Sequence, residues 1–406
     1  MARLLVVGGS LGGLLVANLL VRDGHEVRLL EKSPQSLDGR GAGIVTHPAL
    51  GVALRRAGVA IGDDAGDGLH GLGALGVRVS GRVALDAHGQ AVARREWPQV
   101  LTSWSHLYVL LSAVLPAGCA AMGRTVVAVQ AGERGVRVRC DGGETFEADL
   151  LVAADGFRST VRAQLAPEVQ PQYAGYVAWR GVCDEAVLSL HTRSTLFERF
   201  GFGLPAGEQI IGYPVAGAGN ATAPGQRRYN FVWYRAADER GALTALMTDA
   251  DGEFHPGGIA PHKVSWRHVA RMRESARELL APQFAEIIEK TAQPFLQPIH
   301  DLTSKRMAFS RIALMGDAAF VARPHVGMGV TKAAEDAMAL ADALAEHGAS
   351  PAAWSAYEAA RLAPNQSVVQ RARQLGAYMQ AQGRADAGEA RRDAEQVLRE
   401  TAVTPD

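Results

Sequence analysis

The chain has 406 residues, 48% of them hydrophobic and 21% charged, and its 42 Lys+Arg balance 42 Asp+Glu. That length suits two intertwined domains with a sizeable core, and the zero net charge offers a nucleic-acid partner no global attraction. Three scattered cysteines (Cys119, Cys140, Cys183), no secretion signal and no uncharged apolar run of about 18 residues point to a reducing cytoplasm and away from disulfides, zinc and a membrane span.

Residues 3–7 (Arg-Leu-Leu-Val-Val) predict a buried strand, residues 8–13 a glycine turn, residues 14–22 a helix ending near Gly24, and residues 27–30 a second strand closed by Glu31. This β-turn-α-β unit has the size of a nucleotide-binding element. Alternation over 77–97 predicts a hairpin or meander, and 103–115 a helix stopped at Pro116. Short strands follow near 125–130, 135–140 and 145–147, then a buried strand at 150–154 ending in Asp155-Gly156. Residues 171–235 alternate and are rich in aromatics (Tyr173, Tyr176, Trp179, Phe197, Tyr213, Tyr229, Phe231, Trp233, Tyr234), which predicts an antiparallel sheet. Residues 262–291 read as helical, 311–315 as a buried strand ending in Gly316-Asp317, and 327–347 as a helix after a glycine turn. The tail from 350 reads as helical, with an end expected to fray. The nucleotide-type pattern thus recurs in three separated places. We expect a mixed α/β fold with a discontinuous Rossmann-like cofactor domain (1–70, 100–170, 293–350), an inserted antiparallel-sheet substrate domain (71–99, 171–292) and a C-terminal helical segment (351–406).

The loop Gly8-Gly9-Ser10-Leu11-Gly12-Gly13 links the first strand to the first helix. A dinucleotide fingerprint puts glycine at its first, third and sixth places, for a tight turn, close approach of the pyrophosphate and helix-on-strand packing. Ser10 takes the third place; it is small, and its hydroxyl can donate to a phosphate. The helix N-terminus adds free N–H groups and a positive dipole. Glu31, 18 residues after Gly13, stands where an acid accepts from an adenosine ribose, which suits FAD or NAD. Asp155-Gly156 and Gly316-Asp317 each place a carboxylate at a strand end, where it can hold a ribityl hydroxyl. The turn Pro324-His325-Val326-Gly327-Met328-Gly329, with the helix after it, can face a flavin carbonyl that becomes negative on reduction. Each motif alone is also an ordinary turn or helix cap. The three in this order argue for a cofactor site.

Over about residues 3–345 the chain resembles the single-component FAD-dependent aromatic hydroxylases, the p-hydroxybenzoate hydroxylase-like family, whose three motifs are GxGxxG, DG and GD. Within that family it is most similar to the dihydroxypyridine 3-hydroxylase branch. The similarity is carried by Val7-Gly8-Gly9-Ser10, Gly41-Ala42-Gly43-Ile44-Val45, Tyr173-Ala174-Gly175-Tyr176-Val177-Ala178-Trp179-Arg180-Gly181, Tyr213-Pro214 and Arg323-Pro324-His325. Flavin-dependent urate hydroxylases show a similar pattern. The resemblance implies that Gly8, Ser10, Leu11, Gly12 and Gly13 meet the pyrophosphate, Glu31 and Lys32 the adenosine side, and Val126 the adenine. It places Gly43 and Val45 near the flavin, Asp317 at the ribityl and pyrophosphate region, and Pro324, Gly327, Met328, Gly329, Val330 and Thr331 at the isoalloxazine. Asp155 would serve both FAD structure and the NAD(P)H reaction. Trp104 stands where many relatives carry an FAD-binding Arg, and Arg40 is a substitute for it.

The chemistry that the resemblance implies is reduction of FAD by NADH or NADPH, capture of O2 as a flavin C4a-hydroperoxide, and attack of its outer oxygen on a hydroxylated aromatic or N-heteroaromatic ring, of hydroxypyridine type by the branch it is most similar to. A His or Tyr beside the ring is the usual means of activating the ring hydroxyl. Tyr213, His47, His325 and Tyr229 are the candidates, each with ordinary packing as its alternative. Arg180 can bind a substrate anion or the flavin edge, or form a structural ion pair, and Trp179 and Trp233 can line the pocket or fill the core. The alternatives are a urate-type or phenolic hydroxylase, another flavoenzyme such as a halogenase, reductase or epoxidase, or a flavin redox sensor without turnover. The halogenase signature WxWxIP is missing from the sequence. A small aromatic substrate and a monomer or homodimer are expected.

Overall fold

The computed structural model describes residues 1–39, 43–62, 69–380 and 392–403. Leu4, Leu5, Val6 and Val7, and the four residues Leu150–Ala153, are buried on both faces. Strands of this kind need cover on both sides, which parallel sheets supply. They lie in a six-stranded sheet ordered Ala308–Phe309, Ile312–Leu314, Leu150–Ala153, Arg3–Val7, Glu26–Glu31, Ala120–Met122. Arg3–Val7 runs parallel to both its neighbours, and Leu150–Ala153 runs parallel to Ile312–Leu314. All three motif loops therefore leave the same edge of one sheet, the edge at which open α/β sheets hold their ligands. The helix Leu11–Arg22 packs between Gly329–His347 and Trp104–Val114.

The aromatic segment forms a nine-stranded sheet, ordered Phe320–Val321, Phe295–Thr303, Gln172–Asp184, Arg228–Ala236, Gln209–Val215, Arg199–Gly203, Val77–Leu85, Ala91–Ser103, Gly43–Val45. Its pairs are antiparallel except Arg199–Gly203 with Val77–Leu85. The period of two divides its side chains between two faces. Trp179, Tyr229, Phe231 and Trp233 pack with Phe284, Ile287 and Ile288 of the helix Pro282–Lys290. Tyr176, Tyr213, Val232 and Tyr234 share the opposite cluster. Two strands that the sequence reading did not foresee, Phe295–Thr303 and Gly43–Val45, come from stretches expected in the cofactor domain and pair within this larger sheet. Backbone hydrogen bonds thereby join segments 43–45 and 295–303 to the aromatic strands.

The 30-residue helix Pro351–Gln380 buries Ala353, Trp354 and Tyr357 against the parallel-sheet layer and Met379 against the aromatic sheet. Beyond it the structure describes residues 392–403, and the extreme end expected to fray, 404–406, lies outside the described residues. Ala394–Glu400 is a helix with Val397 and Leu398 buried, because it carries an apolar face that the larger sheet covers. Among the described residues no helix is long and apolar enough to cross a membrane.

Phe284 is fully buried under the outer face of the aromatic sheet. Phe284→Ala is expected to destabilise the protein by about 3 kcal/mol, through lost burial and the cavity left behind. Denaturant unfolding followed by circular dichroism measures this.

Candidate active site

A cleft of about 340 Å³ opens between the two sheets. On the parallel-sheet side it is lined by Ser10, Leu11 and Gly12 of the first loop and by Met315, Gly316 and Asp317 of the third. Pro324, Gly327, Gly329 and Val330 form one end, and Gly43, Ile44 and Val45 another. Arg180, Ile211, Tyr213, Val232 and Tyr234 project into it from the aromatic sheet.

The glycine loop is held by packing as well as by backbone freedom. A Cβ on Gly13 would run into the carbonyl oxygen of Gly8, so only glycine lets the helix Leu11–Arg22 sit this close to the strand. Glu31 is buried, and its carboxylate accepts from Gly9 N (2.7 Å) and Ser33 N (2.8 Å). Each oxygen keeps a lone pair for a ribose hydroxyl. Gly123 N donates to Ser33 O (2.9 Å) and Arg124 N to Glu31 O (2.8 Å), which brings the strand Val126–Ala131 alongside. Val126 is buried there, opposite Cys140, at the Glu31 end of the site, and Lys32 is exposed. Trp104 lines the cleft, stacked on Tyr108 with ring centroids 5.2 Å apart, so an apolar surface replaces a cation at this place. Arg40 lies outside the described residues.

Asp155 accepts from Val161 N at 3.2 Å through one oxygen, and its other oxygen is buried without a partner. Burial raises its pKa, against the pull of Ser159 and nearby N–H groups. Asp317 opens onto the cleft with its side chain 52% exposed, yet the cleft is cut deep into the protein, and the surrounding mass raises its pKa against the attraction of Lys332. Lys332, which the sequence reading did not single out, is wholly buried with its Nζ 3.9 Å from Asp317 Oδ1 and no hydrogen-bond partner. Thr331 Oγ1 is likewise buried and unpartnered at the start of the helix Gly329–His347, and Met328 is buried as that helix's N-cap residue. Orphaned polar atoms at a helix N-terminus, beside a glycine cradle and two strand-end carboxylates, fit the phosphates, ribityl chain and carbonyls of FAD.

Of the residues proposed to act on the ring, only Tyr213 lines the cleft. Its ring lies against Gly43, where a Cβ would collide with it, and burial pushes its pKa up to about 12, so it stays protonated. His47 sits behind the cleft with Nε2 3.3 Å from Gly327 O, and burial pulls its pKa down to about 4. His325 is also behind it, with Nε2 2.8 Å from Tyr176 Oη and its ring centroid 4.3 Å from that of Tyr234. Burial, then Arg392 and Arg323, lowers its pKa to about 3. Tyr229 must be corrected. It lies across from Pro214 and packs on Phe197, on the face turned away from the cleft. Trp179 and Trp233, paired across the strands, share that outer face and do not line the pocket. Arg180 does face the cleft; its Nη1 donates to Gln297 Oε1 (2.8 Å) and its Nε has no partner. Tyr234, not among the candidates, lines the cleft with a buried and unpartnered hydroxyl. Strand parity could have found it, since the facing pairs Tyr213 with Asn230, Ile211 with Val232 and Gln209 with Tyr234 share one face.

The two buried histidines make stability depend on pH with a definite sign. Their folded pKa values, about 4 and about 3, lie below the ordinary 6.5, so the unfolded chain binds more protons through that window. The unfolding free energy is expected to be level above about pH 6.5 and to fall as the pH drops below it, with His47→Gln and His325→Gln each flattening the curve. Urea titrations across that range check this; an unchanged slope in both variants would contradict it.

The sequence pattern of the FAD binding domain family matches residues 1–200, and that of the FAD binding domain-like family matches residues 173–301. The 2,6-dihydroxypyridine 3-monooxygenase of Paenarthrobacter nicotinovorans is 30% identical over 387 residues, covering 95% of this chain and 94% of its own. The aurachin C monooxygenase/isomerase of Stigmatella aurantiaca is 30% identical over 374 residues, 88% of this chain and 84% of its own. The solved structure of 2,6-dihydroxypyridine-3-hydroxylase from Arthrobacter nicotinovorans superposes with a TM-score of 0.87 at 28% identity, over 98% of this chain and 96% of that one. With these relatives and this cleft, the chain belongs to the FAD-dependent aromatic monooxygenase family.

Proposed function

We propose that this enzyme uses NADH or NADPH and O2 to hydroxylate a hydroxypyridine-type ring held between the Pro324–Val330 stretch and the aromatic sheet. The observation that carries this reading is the set Arg180, Tyr213 and Tyr234 projecting into the cleft beside apolar Ile211 and Val232. FAD supplies the hard chemistry, reduction by the nicotinamide and activation of O2. The chain's own residues bind, orient and polarise the ring. Ile211 and Val232 cover its faces and keep water out. Arg180, with an unused Nε–H, stabilises a ring oxyanion and so favours loss of the hydroxyl proton, which makes the ring electron-rich. Tyr213 keeps its proton and donates to a ring oxygen or nitrogen. Gly12, Asp317 and the N-terminus of the helix Gly329–His347 hold the cofactor. The named activity of the dihydroxypyridine monooxygenase relative supports this choice of ring.

The test begins with the visible spectrum of the purified protein, then NADH and NADPH oxidation with and without 2,6-dihydroxypyridine, and the product's mass. Stimulated oxidation and a product heavier by one oxygen are expected. Arg180→Met should lower kcat/KM for the ring about 100-fold while flavin content stays unchanged, with Arg180→Lys recovering only part of it. Tyr213→Phe should cost about tenfold. An Arg180→Met enzyme with wild-type kcat/KM would remove Arg180 from the mechanism. Stimulation by uric acid or a simple phenol in place of the pyridine would reassign the substrate.

A further inference from the structure

The described residues 392–403 close against the site from behind. Val397 and Leu398 are buried with Val79, Phe200 and Tyr213 of the aromatic sheet. Arg82, on the strand Val77–Leu85, is fully buried and reaches the end of the helix Ala394–Glu400. Its Nη1 donates to the carbonyl oxygens of Leu398 (2.7 Å) and Thr401 (2.6 Å), and its Nη2 to those of Ala402 (3.2 Å) and the Gln99 side chain (3.2 Å). The guanidinium lies 5.0 Å from the ring centroid of Trp97 and 5.6 Å from that of Phe200. Among the described residues no carboxylate is paired with it, and burial, reinforced by Arg95, lowers its pKa to about 9. A buried cation is costly unless acceptors surround it. Here the carbonyls at a helix C-terminus, the negative end of the dipole, take the place of a counter-ion.

The turn that Arg82 grips touches the cofactor loop. Ala402 N donates to His325 O at 2.8 Å. Ala402 packs on Gly327, where an added Cβ would stand 3.0 Å from the Ala402 Cβ and 3.4 Å from the Val45 Cβ. Gly327 has φ +65°, and its carbonyl oxygen lies 3.3 Å from His47 Nε2. Ala402 itself has φ +54°, a conformation that a residue with a Cβ keeps only when its surroundings hold it.

We propose that Arg82 is a positioning residue for the reaction. Through the carbonyls of Leu398, Thr401 and Ala402 it presses the C-terminal turn against His325 and Gly327, and so sets the loop that faces the flavin ring. The turn from Leu398 to Ala402 is then the back wall of the cofactor site. The proposal rests on the reading of the 324–329 loop as flavin-facing.

The experiment strips FAD from the purified protein and titrates it back by flavin fluorescence. It compares wild type with Arg82→Met, Arg82→Lys, Ala402→Pro and Ala402→Gly, each checked as apoprotein by circular dichroism and thermal melting. Arg82→Met and Ala402→Pro should raise the Kd for FAD about tenfold and shift the visible flavin band. Arg82→Lys should recover part of the loss, and Ala402→Gly, which keeps the amide and suits a positive φ, should lose less affinity than Ala402→Pro. Should Arg82→Met fail to fold, Ala402→Pro decides, because it leaves Arg82 in place and removes the N–H to His325 and the positive φ. Folded Arg82→Met and Ala402→Pro proteins that bind FAD with wild-type affinity and spectrum would overturn the proposal. A wild-type protein that takes up no FAD would overturn the cofactor reading, and the proposal with it.

Discussion

The architecture depends on the central strand Arg3–Val7 having a parallel neighbour on each side. Gly8 N bonds to Leu30 O at 2.8 Å, Ala154 N to Val7 O at 2.8 Å, and Met315 N to Ala153 O at 3.0 Å. These bonds close the parallel ladders at one edge, and every loop that follows them must emerge there. Segments about 150 residues apart in the chain, those of Gly8, Asp155 and Asp317, thereby become neighbours. The loss of any one ladder would separate the glycine loop 8–13 from the acids at the other two strand ends. Loop-closure entropy opposes such long-range pairing, and burial of Leu4 to Val7 and of Leu150–Ala153 on both faces offsets it.

The aromatic sheet works by a different constraint, the strict alternation of faces. Trp179, Tyr229, Phe231 and Trp233 are committed to the helix-covered side, so Arg180, Val232 and Tyr234 have to look into the cleft. Changing which residues face the cleft would require a register shift, and that would expose the outer core. The charged groups near the cofactor follow the same economy. Asp336 is wholly buried and accepts from Gly316 N, Arg361 and Asn365, so it braces the turn carrying Asp317 from below. Arg323 is tied to Asp301, as is Arg373, which fixes the start of the cofactor loop to the strand Phe295–Thr303. Arg82 secures the far side of that loop through the turn at Thr401 and Ala402.

The sequence by itself determined the local units: the β-turn-α-β start, the three strand-end motifs with Gly13, Asp155 and Asp317, the acid Glu31 and the mixed α/β class. Those signals are local, since turn chemistry, helix capping and hydrophobic period act over a few residues. Tertiary structure decided what faces what. Tyr213 and Tyr229 both read as aromatics on strands, and only the register of Gln209–Val215 against Arg228–Ala236 sends one to the cleft and the other to the outer core. His47 and His325 read as groups beside the ring, whereas packing places them behind Gly327 and Tyr234 as neutral supports. Lys332 was not singled out, since its burial beside Asp317 exists only because the Gly329–His347 helix docks on the loop of a distant strand. The polar tail beyond 380 gave no sign that residue 402 would touch residue 327, because that contact depends on a buried arginine more than 300 residues earlier. Pairings of this kind are set by the global packing free energy, which no short window of sequence contains.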